Sequence, residues 1–218
     1  MMRRHLVLIL TMGGVAELCA SEPAPSGASP DTGHPPAAPA LAAQFPGGAA
    51  VDPALLRTYR SRVEAELRND ILPFWLSHTR DRQRGGFYGE IRNDLAVREN
   101  APRGALLTSR ILWTFSAAYR HYQDPAYLEM ARWAYDDLLA RFWDNEQGGL
   151  FWSVTAYGKP LDTRKLIYGQ AFGIYALAEY HRATGDRAPL DQAIALYRAV
   201  ETHSRDREYR GYFEDFTR

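Results

Sequence analysis

The apolar positions of this chain change their spacing from one segment to the next, and the changes divide it into helices of two kinds. Asp52 followed by Pro53 is a helix start, the Asp accepting an orphan N–H and the Pro taking a first-turn position where no donor is needed. The pattern runs on toward His78, with Pro73 inside it forcing a kink or a second segment. From Gly104 to Tyr122, Leu106, Leu107, Ile111, Leu112, Trp113, Phe115, Ala117 and Ala118 surround the helix instead of forming a stripe, which predicts burial on all sides. Pro125 to Phe142 sets Glu129, Arg132, Asp136, Asp137 and Arg141 opposite Leu128, Ala131, Tyr135, Leu138 and Phe142, the pattern of a helix with one wet face. Thr163 to Thr184 is a second all-round apolar helix, closed by Gly185 as its C-terminal cap. Ala188 to His203 is amphipathic again.

After each amphipathic helix comes a glycine followed by apolar and aromatic residues: RGGFYGEI (84–91), QGGLFWSV (147–154) and RGYFEDF (210–216). The spacing of about sixty-two residues marks an internal repeat. The glycines are expected to take the positive φ of a tight turn, and the aromatics after them to cover the ends of the buried helices. The order outer, inner, outer, inner, outer builds two concentric layers, an all-α fold of the α/α-barrel kind with short β-hairpins after the outer helices. Only part of a ring is visible, and its open faces predict self-association, since soluble monomers rarely expose large apolar patches.

Charge narrows the partners. Lys plus Arg and Asp plus Glu balance at 26 each, so no basic surplus points to nucleic acid, and neutral ligands fit better. Arg3 and Arg4 precede an apolar run from Leu6 to Ala16 with small residues near Ala20, which reads as a signal peptide over 1–20 and a secreted or periplasmic protein. The run is about half of the roughly 20 residues that a permanent membrane span needs. Lipid attachment at Cys19 is disfavoured by Glu17 and Leu18 before it, and cleavage after Ala20 would leave a mature chain without cysteine. Residues 21–50, rich in Pro, Ala, Gly and Ser, read as a disordered linker, leaving 51–218 as the folded part.

The segments ILPFWLSHTRDRQRGGFYGEI (71–91), SRILWTFSAAYR (109–120), DTRKLIYGQAFGIYALAEYHRATG (162–185) and RGYFEDF resemble the N-acylglucosamine 2-epimerase family, and within it the cellobiose 2-epimerases. The resemblance runs from about residue 51 to 218. It implies an (α/α)6 barrel, of which this chain supplies the N-terminal half, about half of the ring. It also implies a site without metal or cofactor that takes a mono- or disaccharide and inverts carbon 2 of a reducing-end sugar. Such chemistry removes a proton beside an aldehyde on one face and returns it on the other, through an enediolate that needs preorganised donors. The family's two basic histidines belong to the later part of the barrel. His78, His121, His181 and His203, each near a helix end, match neither, so the resemblance implies a truncated and inactive fragment.

Arg110 interrupts an apolar helix, where a guanidinium is costly without partners, and it matches the family's active-site arginine. Its expected role is to hold sugar oxygens and the enediolate; the alternative is an ion pair with a carboxylate across the barrel. Tyr168 and Gln170 stand near the start of the second inner helix as substrate-binding candidates, Tyr168 by the family match, against a reading as satisfied core groups. Trp113, one turn from Arg110, could stack on a sugar or pack in the core. Glu90, Asp162, Glu214 and Asp215 lie by the glycine turns, and a barrel glycosidase would need two of them to converge. No metal-ligand spacing, phosphate loop or nucleophile elbow is present. An aldose–ketose isomerase, a glycosidase and a helical-repeat binding fragment stand as alternatives to the epimerase.

Overall fold

The structure is a computed structural model that describes residues 52–216. The signal and linker segments expected over 1–50 lie outside the described residues.

Helix α1 (Pro53–Glu66) opens on Asp52, whose carboxylate accepts the Ala54 N–H at 2.8 Å. A widened π-helical turn, Leu67–Ile71, then leads into α2 (Leu72–His78), so Pro73 sits in the first turn of a new segment. Strand β1 (Arg103–Gly104) introduces α3 (Ala105–Tyr122), and α4 (Pro125–Asp137) follows, prolonged by a second π-helical turn, Leu138–Phe142. Short strands β2 (Ser153–Val154), β3 (Pro160–Asp162) and β4 (Lys165–Leu166) precede α5 (Ile167–Thr184) and α6 (Arg187–His203). Strands β5 (Arg205–Asp206), β6 (Gly211–Tyr212) and β7 (Asp215–Phe216) complete the order.

Inner helices α3 and α5 pack side by side, α4 covers α3 and α6 covers α5. The core lies between the layers, where Leu112, Phe115, Met130, Leu138, Leu150, Leu177 and Leu196 are all but inaccessible. Outer helices cap themselves: Asp124 and Asp186 accept from Ala126 and Ala188 as Asp52 does from Ala54, each cap worth about 1 kcal/mol. Inner helices have no side-chain cap, and the residues just before β2 and β7 supply the acceptors instead, Trp152 O for the Ala105 N–H and Glu214 O for the Ile167 N–H.

The repeat is exact to within one residue in the strands. Bridges Arg80–Phe87 and Trp143–Leu150 and the pair Arg205–Tyr212 close three successive hairpins, and Arg103–Val154 is followed by Lys165–Phe216. In the first two hairpins both glycines have positive φ: Gly85 +75° and Gly86 +71°, Gly148 +71° and Gly149 +85°.

Four expectations need correction. Residues 163–166 are not helical, because Lys165 pairs with Phe216 in a strand and its side chain is buried. Gly211 does not take the left-handed conformation; Arg210 does, at +59°. The aromatics Tyr212 and Phe213 are exposed, unlike the buried Phe87 and Leu150 of the earlier copies. Finally neither inner helix is buried on all sides: α3 is half-buried along Leu106, Arg110, Trp113 and Ala117, and on α5 Tyr168, Ala171, Tyr175 and Arg182 form an exposed stripe, since no helix among the described residues lies on that side.

Candidate active site

Each inner helix is held at its N-terminal end by a buried ion pair to the hairpin before it. Asp81 Oδ1 accepts the Gln83 and Arg84 N–H groups, and its Oδ2 meets Arg103 at 2.6 Å. Asp144 repeats this with Glu146 and Gln147 on one oxygen and Lys165 on the other at 2.7 Å. Burial pushes both carboxyls up, but the backbone donors and the cations together outweigh it and hold both below the ordinary value. Beside the first pair, Asp137 bonds to Arg141 at 2.7 Å and accepts from Thr108. Its burial wins over the attraction of Arg141 and Arg103, and its carboxyl is raised.

These supports fix the level at which α3 and α5 face each other. Arg110 projects from α3 over the ring of Phe172, with 5.7 Å from guanidinium carbon to centroid. One turn further, Trp113 stacks on Tyr175 at 5.0 Å and 14°. Tyr168, half exposed in the first turn of α5, meets Phe172 edge-on at 5.0 Å. The structure thus brings Arg110, Trp113 and Tyr168 to one surface and adds Phe172 and Tyr175. Half-buried Arg110 has no ion pair or hydrogen bond among the described residues, so the carboxylate across the barrel is not found there. The indole N–H of Trp113 is likewise buried without an acceptor among them.

Gln170 belongs elsewhere. Its amide accepts the Leu150 N–H and donates to the Leu150 carbonyl, both at 2.8 Å, and is fully buried. It pins the second hairpin to α5 in the way a neighbouring strand would. At the opposite end of the inner helices, buried Glu179 takes Arg120 of α3 at 2.6 Å and Arg182 at 2.9 Å.

The four described histidines lie near helix ends. His121 is eleven residues, or about 16 Å, beyond Arg110 along α3, and His181 faces the Asp186 carbonyl at 2.6 Å. Glu90 pairs with Arg98 and Asp162 with Arg164, while Glu214 and Asp215 are exposed just after the third hairpin, Asp215 in β7. Among the described residues no group of three His, Cys, Asp or Glu side chains could hold a metal, and no helix is long and apolar enough to cross a membrane.

Sequence reading passed over Asp81, Asp144, Arg103 and Lys165. Their signal was an Asp five residues ahead of the second glycine of each turn, with a basic residue twenty-one or twenty-two positions after it. It also passed over Phe172 and Tyr175, which stand sixty-two residues after Arg110 and Trp113.

Alternating inner and outer helices, with hairpins at the N-terminal ends of the inner pair, define a segment of an (α/α)6 barrel. The family model for N-acylglucosamine 2-epimerase (GlcNAc 2-epimerase) matches residues 86–218, and the chain belongs to that family. It is 45% identical over 159 residues to a cellobiose 2-epimerase of Bacteroides fragilis, covering 73% of this chain and 41% of that one. A cellobiose 2-epimerase of Eubacterium cellulosolvens is 44% identical over 156 residues, covering 72% and 38%. The structure of cellobiose 2-epimerase from Spirochaeta thermophila superposes with a TM-score of 0.73 at 44% identity, covering 78% of this chain and 42% of that one. The chain therefore spans about two fifths of the length of the curated relatives it matches.

Proposed function

We propose that this chain forms the Arg110 wall of a carbohydrate 2-epimerase site, acting at carbon 2 of a reducing-end sugar of the cellobiose type. The observation that carries this reading is a half-buried guanidinium with no anion among the described residues, set over Phe172 beside Tyr168 and Trp113. A cation left unpaired in a partly desolvated place is costly to the fold, and a ligand that brings hydroxyl and carbonyl oxygens as acceptors, with negative charge as the enediolate forms, offsets that cost.

In the reaction a base takes the proton from carbon 2, the electron pair moves onto the carbonyl oxygen, and a proton returns to carbon 2 from the other face. Arg110 holds the oxygen on which charge develops, where a fixed donor in a dry site stabilises the enediolate far more than water does. Tyr168 presents a phenol at the same surface, and the aromatic rungs give the sugar ring an apolar wall. No described histidine shares a hydrogen bond or ring contact with Arg110 or the rings around it, so these residues bind and stabilise while the proton transfers belong to other groups.

Two measurements test this. Cellobiose titrated into the full chain and followed by saturation-transfer NMR should bind, with Arg110→Ala weakening binding at least tenfold, as loss of a charged hydrogen bond requires. Proton NMR should show no mannose-type product. Equal binding by Arg110→Ala, or turnover by the chain alone, contradicts the proposal.

A further inference from the structure

Helix α3 turns two arginines, ten residues apart, toward α5, and the fold treats them differently. Arg120 is given an anion, the buried carboxylate of Glu179 at 2.6 Å. Arg110 is given a ring. Its guanidinium carbon stands 5.7 Å from the centroid of Phe172, and no carboxylate among the described residues pairs with it.

The two partners have opposite consequences for a ligand. A carboxylate fixes a guanidinium by taking up its N–H donors, so a bound sugar would have to compete for them. An aromatic face attracts the same cation through its quadrupole and offers no lone pair, which leaves the five donors open to oxygen acceptors.

Phe172 is itself held firmly. Gln170, two residues before it, bonds to both polar groups of Leu150 at 2.8 Å. Gly173, the next residue, lets α5 lie so near the core that an added Cβ would stand 2.6 Å from Leu150 Cδ1 and 2.9 Å from Leu196 Cδ1. Tyr168, one turn earlier, meets the ring edge-on at 5.0 Å, and the Trp113–Tyr175 stack fills the next rung. The ring is thus a fixed point against which a long and otherwise unpartnered side chain is set.

We propose that Phe172 is a positioning residue for the epimerase site, holding Arg110 without pairing it, so that the guanidinium meets the sugar already oriented and with its donors free. This rests on Arg110 being the sugar-facing cation, and it names the group that prepares it. A side chain ordered beforehand has less freedom to lose when the sugar binds.

Three substitutions separate the ring from its volume and from its lack of charge. In the ligand-free full chain the Arg110 Nε–H signal, assigned by its absence from Arg110→Ala, should lie upfield of the ordinary arginine range because it sits over the ring. Phe172→Leu should return it to that range, and Phe172→Tyr should leave it displaced. Cellobiose binding, followed by saturation-transfer NMR, should weaken about three- to tenfold in Phe172→Leu and stay within about twofold in Phe172→Tyr. It should fall about tenfold or more in Phe172→Glu, where Arg110 acquires the kind of partner that Arg120 has. Phe172→Glu should nevertheless melt no lower than Phe172→Leu, because the new ion pair replaces the ring. An Arg110 signal indifferent to the ring, undiminished binding by the Leu or Glu variant, equal losses in the Leu and Tyr variants, or a Glu variant that melts below the Leu variant overturns the proposal. Weaker binding by Arg110→Ala with none by Phe172→Leu refutes the role of Phe172 alone, whereas undiminished binding by Arg110→Ala refutes the epimerase reading and the role of Phe172 with it.

Discussion

Helices α3 and α5 hold equivalent places in successive repeats, yet different side chains do the same work in each. Arg103 and Lys165 anchor their first turns, Thr108 and Gln170 tie their second turns to the neighbouring structure, and Trp113 and Tyr175 meet on one rung. The remaining rung breaks the rule, with Arg110 on α3 facing Phe172 on α5. Support is duplicated while the facing residues are not: the repeat fixes where a side chain will stand, and Arg110 and Leu106 stand where α5 has Phe172 and Tyr168.

The largest effect separating the two helices should come from their anchors. Arg103→Met leaves Asp81 buried beside no cation and also removes a donor to the Gly85 carbonyl, and it should cost about 5 kcal/mol in urea unfolding, the upper end for a broken buried pair. Lys165→Met removes one contact and should cost about 3 kcal/mol. An equal or larger loss for Lys165→Met would mean that the two supports are not graded as their contacts suggest.

Acid should expose the same contrast. Asp81 and Asp144 titrate below the ordinary 3.8 in the folded state, so the stability they supply is complete above that value and is lost as pH falls through their folded values. Asp137 is raised, and its protonation on the way down favours the folded state. It stands only at the α3 end. Hydrogen exchange below about pH 4 should therefore open the hairpin at 143–150 before the hairpin at 80–87; the reverse order would remove Asp137 from the account.

A third contrast lies one turn into each helix. Gln170→Leu strands both polar groups of Leu150 in the core and should cost about 2 to 3 kcal/mol, whereas Thr108→Val loses a single 3.4 Å bond and should cost about 1 kcal/mol or less. A larger loss for Thr108→Val would show that the Asp137 cluster depends on that hydroxyl.

Much of this frame could be read from the residues. Outer helices announce themselves because their caps are local: Asp52, Asp124 and Asp186 each stand two residues ahead of the N–H they accept. Inner helices do not, since their first N–H groups are satisfied by Trp152 and Glu214, forty-seven residues further on in each case. That is why residues 163–166 read as helix and fold as strand. Arg110 was legible as an oddity within an apolar run, while Gln170 looked like a polar group aimed at a ligand because its partner is a backbone amide, which sequence does not display. The open side of α5 was illegible for a different reason: an apolar helix surface carries no mark of how many neighbours cover it.

The smallest contrast is among the three hairpins. Gly85 and Gly148 take positive φ at a position where the third copy has Arg210 at +59°, a conformation that costs a side-chain-bearing residue about 1 kcal/mol and glycine almost nothing. Arg210→Gly should therefore stabilise the chain, by less than about 1 kcal/mol once the greater freedom of glycine in the unfolded chain is counted. Gly148→Ala is the mirror experiment: nothing lies within 4 Å of the added carbon, so its cost should be the conformational one alone. Gly85→Ala should cost more, because its added carbon would come within 2.7 Å of the Arg141 guanidinium that bonds to Asp137. If Arg210→Gly destabilises instead, the exposed arginine contributes something to the third hairpin that its backbone geometry does not reveal, and thermal melts of the three variants side by side decide it.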